Sequence, residues 1–197
     1  MPPKIKTILA SSSPRRLSLL NLIGINPEVK KPDITENIIK GEAPKRFTKR
    51  VAIEKGKFVQ NNKNYIDLII SADTIVYCNN RIIGKPKNRD DAFRMIKLLS
   101  GRIHKVVTGV SLIYMDKNIC KISETDVKFS NITKSEIDYY LDNEKFIDKA
   151  GAYAIQGKAS LFVEEIKGCY FNVMGFPINL FYSMLKKINI SFTKLSE

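Results

Sequence analysis

Tryptophan is absent from this 197-residue chain, histidine occurs once and cysteine three times. Cys78, Cys120 and Cys169 lie far apart with no Cys-Xaa-Xaa-Cys pair, which argues against a thiolate metal site. Unclustered thiols suit a reducing compartment, where they are expected to serve as small buried hydrophobes. No apolar run reaches membrane-spanning length, and Met-Pro-Pro-Lys-Ile-Lys lacks the apolar stretch of a signal peptide. The expectation is a cytoplasmic protein with no membrane partner. Neither a Gly-Xaa-Xaa-Xaa-Xaa-Gly-Lys-Ser/Thr loop nor a Rossmann glycine fingerprint occurs, so the usual ATPase and dehydrogenase readings fall away. No repeat, linker or low-complexity boundary divides the chain.

Acidic side chains are the scarce charge, 20 against 33 basic ones, for a net charge of +13. Such a balance suits an anionic partner: nucleic acid, a membrane surface or a free nucleotide. The competing explanation is compositional, because lysines are scattered singly among abundant asparagine and isoleucine. No basic-aromatic strand motif or recognition-helix pattern is present, which disfavours a nucleic-acid partner. With 44% hydrophobic and 27% charged residues the chain is ordinary for a folded protein, and its length allows one domain over 1–197.

Residues 5–10 read as a strand entering a helix, with Ser13 as N-cap, Pro14 in the first turn, a stripe of Leu17, Leu20 and Ile23, and Gly24 as the stop. A second helix starts near Pro44 with Phe47, Val51 and Phe58 on one face, closed by a lysine-asparagine stretch at 61–64. Leu68 to Cys78 and Arg81 to Gly84 form a hairpin about Asn79-Asn80. A third helix spans 89–100 with Gly101 as its C-cap. Strands at 103–115 and 119–129 flank Asp116-Lys117-Asn118. Thr133 and Glu136 form a capping box for a helix to 143, the stretch 151–175 holds two strand-like segments, and Pro177 opens a last helix. Helices mixed with hairpins and strand-helix units imply an α/β fold with a mixed, partly antiparallel sheet, and the chain length leaves room for two lobes around a central cleft.

Chemistry concentrates where apolar segments meet turns. Ser11, Ser13, Arg15 and Arg16 surround a helix N-terminus, where backbone N–H groups, hydroxyls and arginine forks suit phosphate; the alternative is an ordinary capped helix with exposed arginines. Asp73 interrupts an apolar strand, and a carboxylate there must be paired, hydrogen-bonded or metal-bound. It suits a general base or a metal ligand in phosphoanhydride hydrolysis; the alternative is a strand-end carboxylate bonded to its own turn. Lys85, in Gly84-Lys85-Pro86, offers a point charge from a stiff turn, with an exposed surface lysine as the alternative. Lys55 and Glu36 gain weight only from their company. The Gln156 amide carries a donor and an acceptor, as the edge of uracil, thymine or, after a flip, cytosine requires. His104 lies in an apolar strand with no nucleophile motif beside it and reads as structural.

In this order these residues resemble the Maf family of nucleoside triphosphate pyrophosphatases, nearly end to end. The likeness rests on Ile8-Leu9-Ala10-Ser11 through Pro14-Arg15-Arg16, Ser71-Ala72-Asp73-Thr74, Gly84-Lys85-Pro86, Ser100-Gly101 through His104 to Thr108-Gly109, and Tyr153 through Gly168 to Asn172-Val173-Met174-Gly175-Phe176-Pro177. The resemblance implies hydrolysis of a nucleoside triphosphate between its α and β phosphates with a divalent cation, Mg²⁺ or Mn²⁺. It implies Asp73 as proton acceptor, Ser11, Arg16, Lys55 and Lys85 on phosphate, and Asp73 with Glu36 on the metal. Arg15, Thr74 and Gln156 match the specificity positions of the branch acting on dTTP and UTP. A homodimer would be in keeping with the family. Gly56 stands where alanine is usual and Phe176 where leucine is common. The rival readings are a basic nucleic-acid-binding or regulatory protein without hydrolase activity, and a pyrophosphatase for modified or purine triphosphates.

Overall fold

The computed structural model describes residues 5–60 and 67–195. The chain is α/β. Its strands are β1 (Thr7–Ala10), β2 (Glu28–Lys30), β3 (Leu68–Cys78), β4 (Arg81–Ile83), β5 (Ile103–Tyr114), β6 (Lys117–Phe129) and β7 (Val163–Lys167). They form a seven-stranded sheet in the order β2-β1-β3-β5-β6-β7, with β4 hydrogen-bonded to β3. The sheet is mixed: β1 pairs in parallel with β2 and β3, while β3 with β4 and β6 with β7 are antiparallel. The helices are α1 (Pro14–Leu22), α2 (Pro44–Gln60), α3 (Arg89–Leu99), α4 (Lys134–Asn143), α5 (Tyr170–Val173) and α6 (Ile178–Lys187).

The residues sort into two compact units, one of 1–73, 108–123 and 175–197 and one of 74–107 and 124–174. The first contains β1, β2, α1, α2, α6 and the beginning of β3. Its helices are closed by signals legible in the sequence. Gly24 takes φ +75°, which lets the Gly24 N–H reach the Asn21 carbonyl and the Ile25 N–H reach that of Leu20. Asn189 ends α6 in the same left-handed way, and the Ile190 N–H reaches the Leu185 carbonyl. Helix α2 lies unusually near β5. A Cβ built on Gly109 would fall 2.5 Å from the Thr48 carbonyl oxygen, so only glycine fits there.

The second unit contains α3, α4, α5, β4 and β7. Its core gathers Ile96 and Leu99 of α3, Ile137 and Tyr140 of α4, and Phe129 and Phe162. The Thr133 and Glu136 capping box is present, and Asn79 and Asn80 both adopt positive φ in the β3-β4 turn, as a tight hairpin requires.

Several local expectations shift. The buried residues of α1 are Arg16, Leu19 and Leu20, not a Leu17, Leu20 and Ile23 stripe. A charged residue on the inner face is invisible to a hydropathy pattern until its hydrogen bonds are known. On α2, Phe58 is exposed, and the buried face runs through Phe47, Val51, Lys55 and Val59. The 61–64 stretch lies outside the described residues. The β5-β6 turn falls at Met115-Asp116, with Met115 at φ +52°, so Lys117 and Asn118 already belong to β6. Within 151–175 only β7 is extended, and Ala150–Ala152 and Lys158–Phe162 form 3₁₀ turns. Cys78 is buried as expected, but Cys120 and Cys169 are half-buried.

Candidate active site

The first unit brings five of the sequence-selected side chains into one charged cluster. Strand β1 delivers the chain to Ser11, whose hydroxyl accepts from the Ser13 N–H at 3.2 Å and from Arg16 Nη1 at 3.0 Å. Ser13 occupies the N-cap position of α1 without a side-chain cap bond. Arg16 Nε donates to the Gly175 carbonyl at 3.0 Å, and the side chain is buried. Its fork is thus held from two sides. Burial pushes the Arg16 guanidinium below its ordinary pKa, and the nearby charges of Asp73 and Glu36 oppose that shift.

Strand β3 carries Asp73 into the interior with 4% of its surface exposed. Its Oδ1 accepts from Lys55 Nζ at 2.8 Å. The same ammonium lies 2.8 Å from Glu36 Oε1, so one lysine bridges two carboxylates. Oδ2 of Asp73 is buried and has no hydrogen-bond partner among the described residues. An acceptor left in that condition costs about 1–3 kcal/mol, more when charged, so a site that retains one has a reason to do so.

The helix supporting Lys55 is tied to the strand supporting Asp73. Ser71 Oγ donates to the Ala52 carbonyl at 2.7 Å, one helical turn before Lys55 and two residues before Asp73. Gly56 makes room, since a Cβ there would lie 2.9 Å from Ser71 Oγ and 3.0 Å from Ile113 Cδ1. The loop bearing Glu36 is held by Arg50 of α2, which donates to both carboxylate oxygens of Glu42 at 2.8 and 2.7 Å and to the Asn37 carbonyl at 2.9 Å. That bidentate fork raises the Arg50 pKa and lowers that of Glu42.

Arg15 lies on α1 and is half-buried. Thr74, Lys85 and Gln156 belong to the second unit. Thr74 follows Asp73 directly along β3 and is half-buried. Lys85 is exposed, and the turn before it is held by the Gly151 N–H bonding to the Gly84 carbonyl at 2.9 Å. Gln156 is exposed in a loop and not in a strand. The loop turns at Gly157, with φ +83°, where Glu144 Oε1 accepts the Lys158 N–H at 3.2 Å. Sequence reasoning missed the supports: Ser71, Arg50, Glu42, Glu144 and the Gly175 carbonyl. Ser71 and Gly175 sit inside recognised signatures, whereas Arg50, Glu42 and Glu144 carry no local mark. His104 is a core residue of the second unit, bonded through Nε2 to the Tyr153 hydroxyl at 2.7 Å and set edge-on to Phe129.

The donor set suits a hard cation. Among the described residues no group of three or more His, Cys, Asp or Glu side chains forms a protein-only cage. Two carboxylates, Glu36 and Asp73, the latter with a buried oxygen unpartnered among the described residues, fit a hard divalent cation that takes one or two carboxylates and completes its shell with phosphate and water. No helix among the described residues is long and apolar enough to cross a membrane.

Comparison with known proteins places this geometry in context. A family model described as "Maf-like protein" matches residues 6–188. A dTTP/UTP pyrophosphatase of Clostridioides difficile (strain 630) is 44% identical over 182 residues, 91% of this chain and 93% of that protein. A dTTP/UTP pyrophosphatase of Bacillus thuringiensis subsp. konkukian (strain 97-27) is 43% identical over 189 residues, covering 95% and 98%. Among solved structures, the Staphylococcus aureus Ham1 protein superposes with a TM-score of 0.51 over 93% of this chain and 99% of its own, at 15% identity. That likeness concerns the fold alone.

Proposed function

Because the chain belongs to the Maf-like protein family, we propose that it hydrolyses dTTP and UTP between the α and β phosphates. Water adds to phosphorus, the bridging P–O bond breaks, and the products are the nucleoside monophosphate and pyrophosphate. The observation that carries the reading is Asp73: a buried carboxylate with one oxygen on Lys55 and the other unpartnered among the described residues. An acceptor so placed can take a proton from attacking water. Arg16, Lys55, Lys85 and the Ser11 hydroxyl are assigned to the phosphates, where they stabilise charge that develops as the anhydride breaks. The rigid fork of Arg16 suits this role, because its geometry is set before substrate arrives.

Glu36 and Asp73 are the residues that would hold a divalent cation, Mg²⁺ or Mn²⁺, which when bound supplies charge neutralisation on the phosphate oxygens. Arg15, Thr74 and Gln156 are assigned to the base. An arginine offers only donors and favours a carbonyl oxygen over the cytosine amino group, while the Gln156 amide meets the adjoining N–H. The support for dTTP and UTP is the identity of 43% and 44% to relatives bearing that name. In this reading residues 1–197 act as one domain in the cytoplasm, clearing non-standard or excess nucleotides.

The test is pyrophosphate release from dTTP, UTP, CTP, ATP, GTP and 7-methyl-GTP. Asp73→Asn is expected to fold and to lose at least about 10²-fold in turnover, the lower range for a general base. Gln156→Ala is expected to narrow the gap between dTTP and CTP. Near-normal activity of Asp73→Asn would remove it from the mechanism, and a purine-biased panel would overturn the pyrimidine assignment.

A further inference from the structure

Resting on the pyrophosphatase reading, we propose that Lys55 is an internal cation standing in the metal position. The divalent ion then enters together with the triphosphate and not before it.

The geometry comes first. Lys55 Nζ lies 2.8 Å from Glu36 Oε1 and 2.8 Å from Asp73 Oδ1, so the ammonium occupies the space between the two carboxylates that an ion bridging them would need. Lys55 is itself buried, with 8% of its side chain exposed, and a buried ammonium is stable only while paired. The charge count comes second. The two carboxylates face at least two cations, Lys55 between them and Arg16, which feels the charges of Asp73 and Glu36 and of the neighbouring Arg15. A divalent ion approaching this cluster alone meets no net negative charge and an ammonium at contact distance, buried against Asp73 on one side and opposite the exposed Glu36 on the other. Triphosphate changes both conditions. It brings several negative charges, gives Lys55 a new partner, and contributes the oxygens that a two-carboxylate site lacks.

Lysine and arginine divide the work for a physical reason. Lysine is a point charge on a flexible stem and can move from carboxylate to phosphate, whereas the Arg16 fork is fixed on Ser11 and Gly175.

The experiment measures Mn²⁺ binding to the full chain by electron paramagnetic resonance and calorimetry, with and without a non-hydrolysable α,β-imido analogue of dTTP. Wild type is expected to bind Mn²⁺ at least about tenfold more weakly without the analogue than with it. Lys55→Met is expected to bind Mn²⁺ alone at least about tenfold more tightly than wild type, about 1.4 kcal/mol. Lys55→Gln provides a second neutral variant should the first fail to fold. Adding Asp73→Asn should abolish the gain. Wild type that binds Mn²⁺ equally with and without bound analogue would overturn the proposal, as would folded neutral variants with no gain. If the analogue does not bind at all, the dTTP reading fails, while the nucleotide-free comparison of wild type with Lys55→Met still decides the role of Lys55.

Discussion

At the scale of single residues, two buried titratable groups serve opposite ends. Asp73 keeps an oxygen unpartnered among the described residues and within a charged cluster, an arrangement that favours chemistry over stability. His104 is buried among aromatic rings with its Nε2 on the Tyr153 hydroxyl and belongs to the core of the second unit. Burial pushes the His104 pKa from its usual 6.5 down to about 4. The sign of the consequence is fixed: below pH 6.5 the unfolded chain takes up a proton that the folded chain refuses. The folded state therefore has its full stability above pH 6.5 and loses it as pH falls towards 4, by up to about 3 kcal/mol. Urea titrations over this window should show a slope in wild type that flattens in His104→Gln. An unchanged slope would mean that His104 titrates alike in both states.

At the scale of elements, α2 organises the first unit. One of its faces packs through Phe47, Val51 and Val59 and carries Lys55 inward with them. Gly109 permits close approach at the start of the helix, and Ser71 ties it to β3 near the middle. Arg50 holds the loop that bears Glu36, with Glu42 as its buried partner. Arg50→Met leaves the Glu42 carboxylate unpaired by that fork, at a cost of about 1–3 kcal/mol or more. It should also release the loop, so that thermal stability falls and the Michaelis constant for dTTP rises more than turnover falls. A variant with wild-type kinetics would show that the loop holds Glu36 without Arg50.

At the scale of the whole molecule, the net charge of +13 finds a use if the substrate is a triphosphate. Excess positive charge raises the encounter rate with an anion, and salt screens that effect. Raising ionic strength should lower kcat/KM for dTTP through KM and leave kcat nearly unchanged. No salt dependence would return the charge to compositional background. Ser11, Arg15, Arg16, Glu36, Lys55 and Asp73 fall in one compact unit, whereas Thr74, Lys85 and Gln156 fall in the other.

What the sequence determined by itself is local and chemical. Gly24, Gly101 and the Thr133 capping box mark helix ends because backbone conformation and capping hydrogen bonds act over a few residues. Asp73 announced itself because an isolated carboxylate in an apolar strand must be compensated, and ordered signatures identified the family. Tertiary structure alone decided that Lys55 is the compensating group for both Glu36 and Asp73, which are 19 and 18 residues away along the chain. It also turned Arg16 onto the buried face of α1, where the Gly175 carbonyl, 159 residues away, satisfies it. Hydropathy reads a charged side chain as exposed, and only a partner brought from elsewhere in the chain can make its burial favourable.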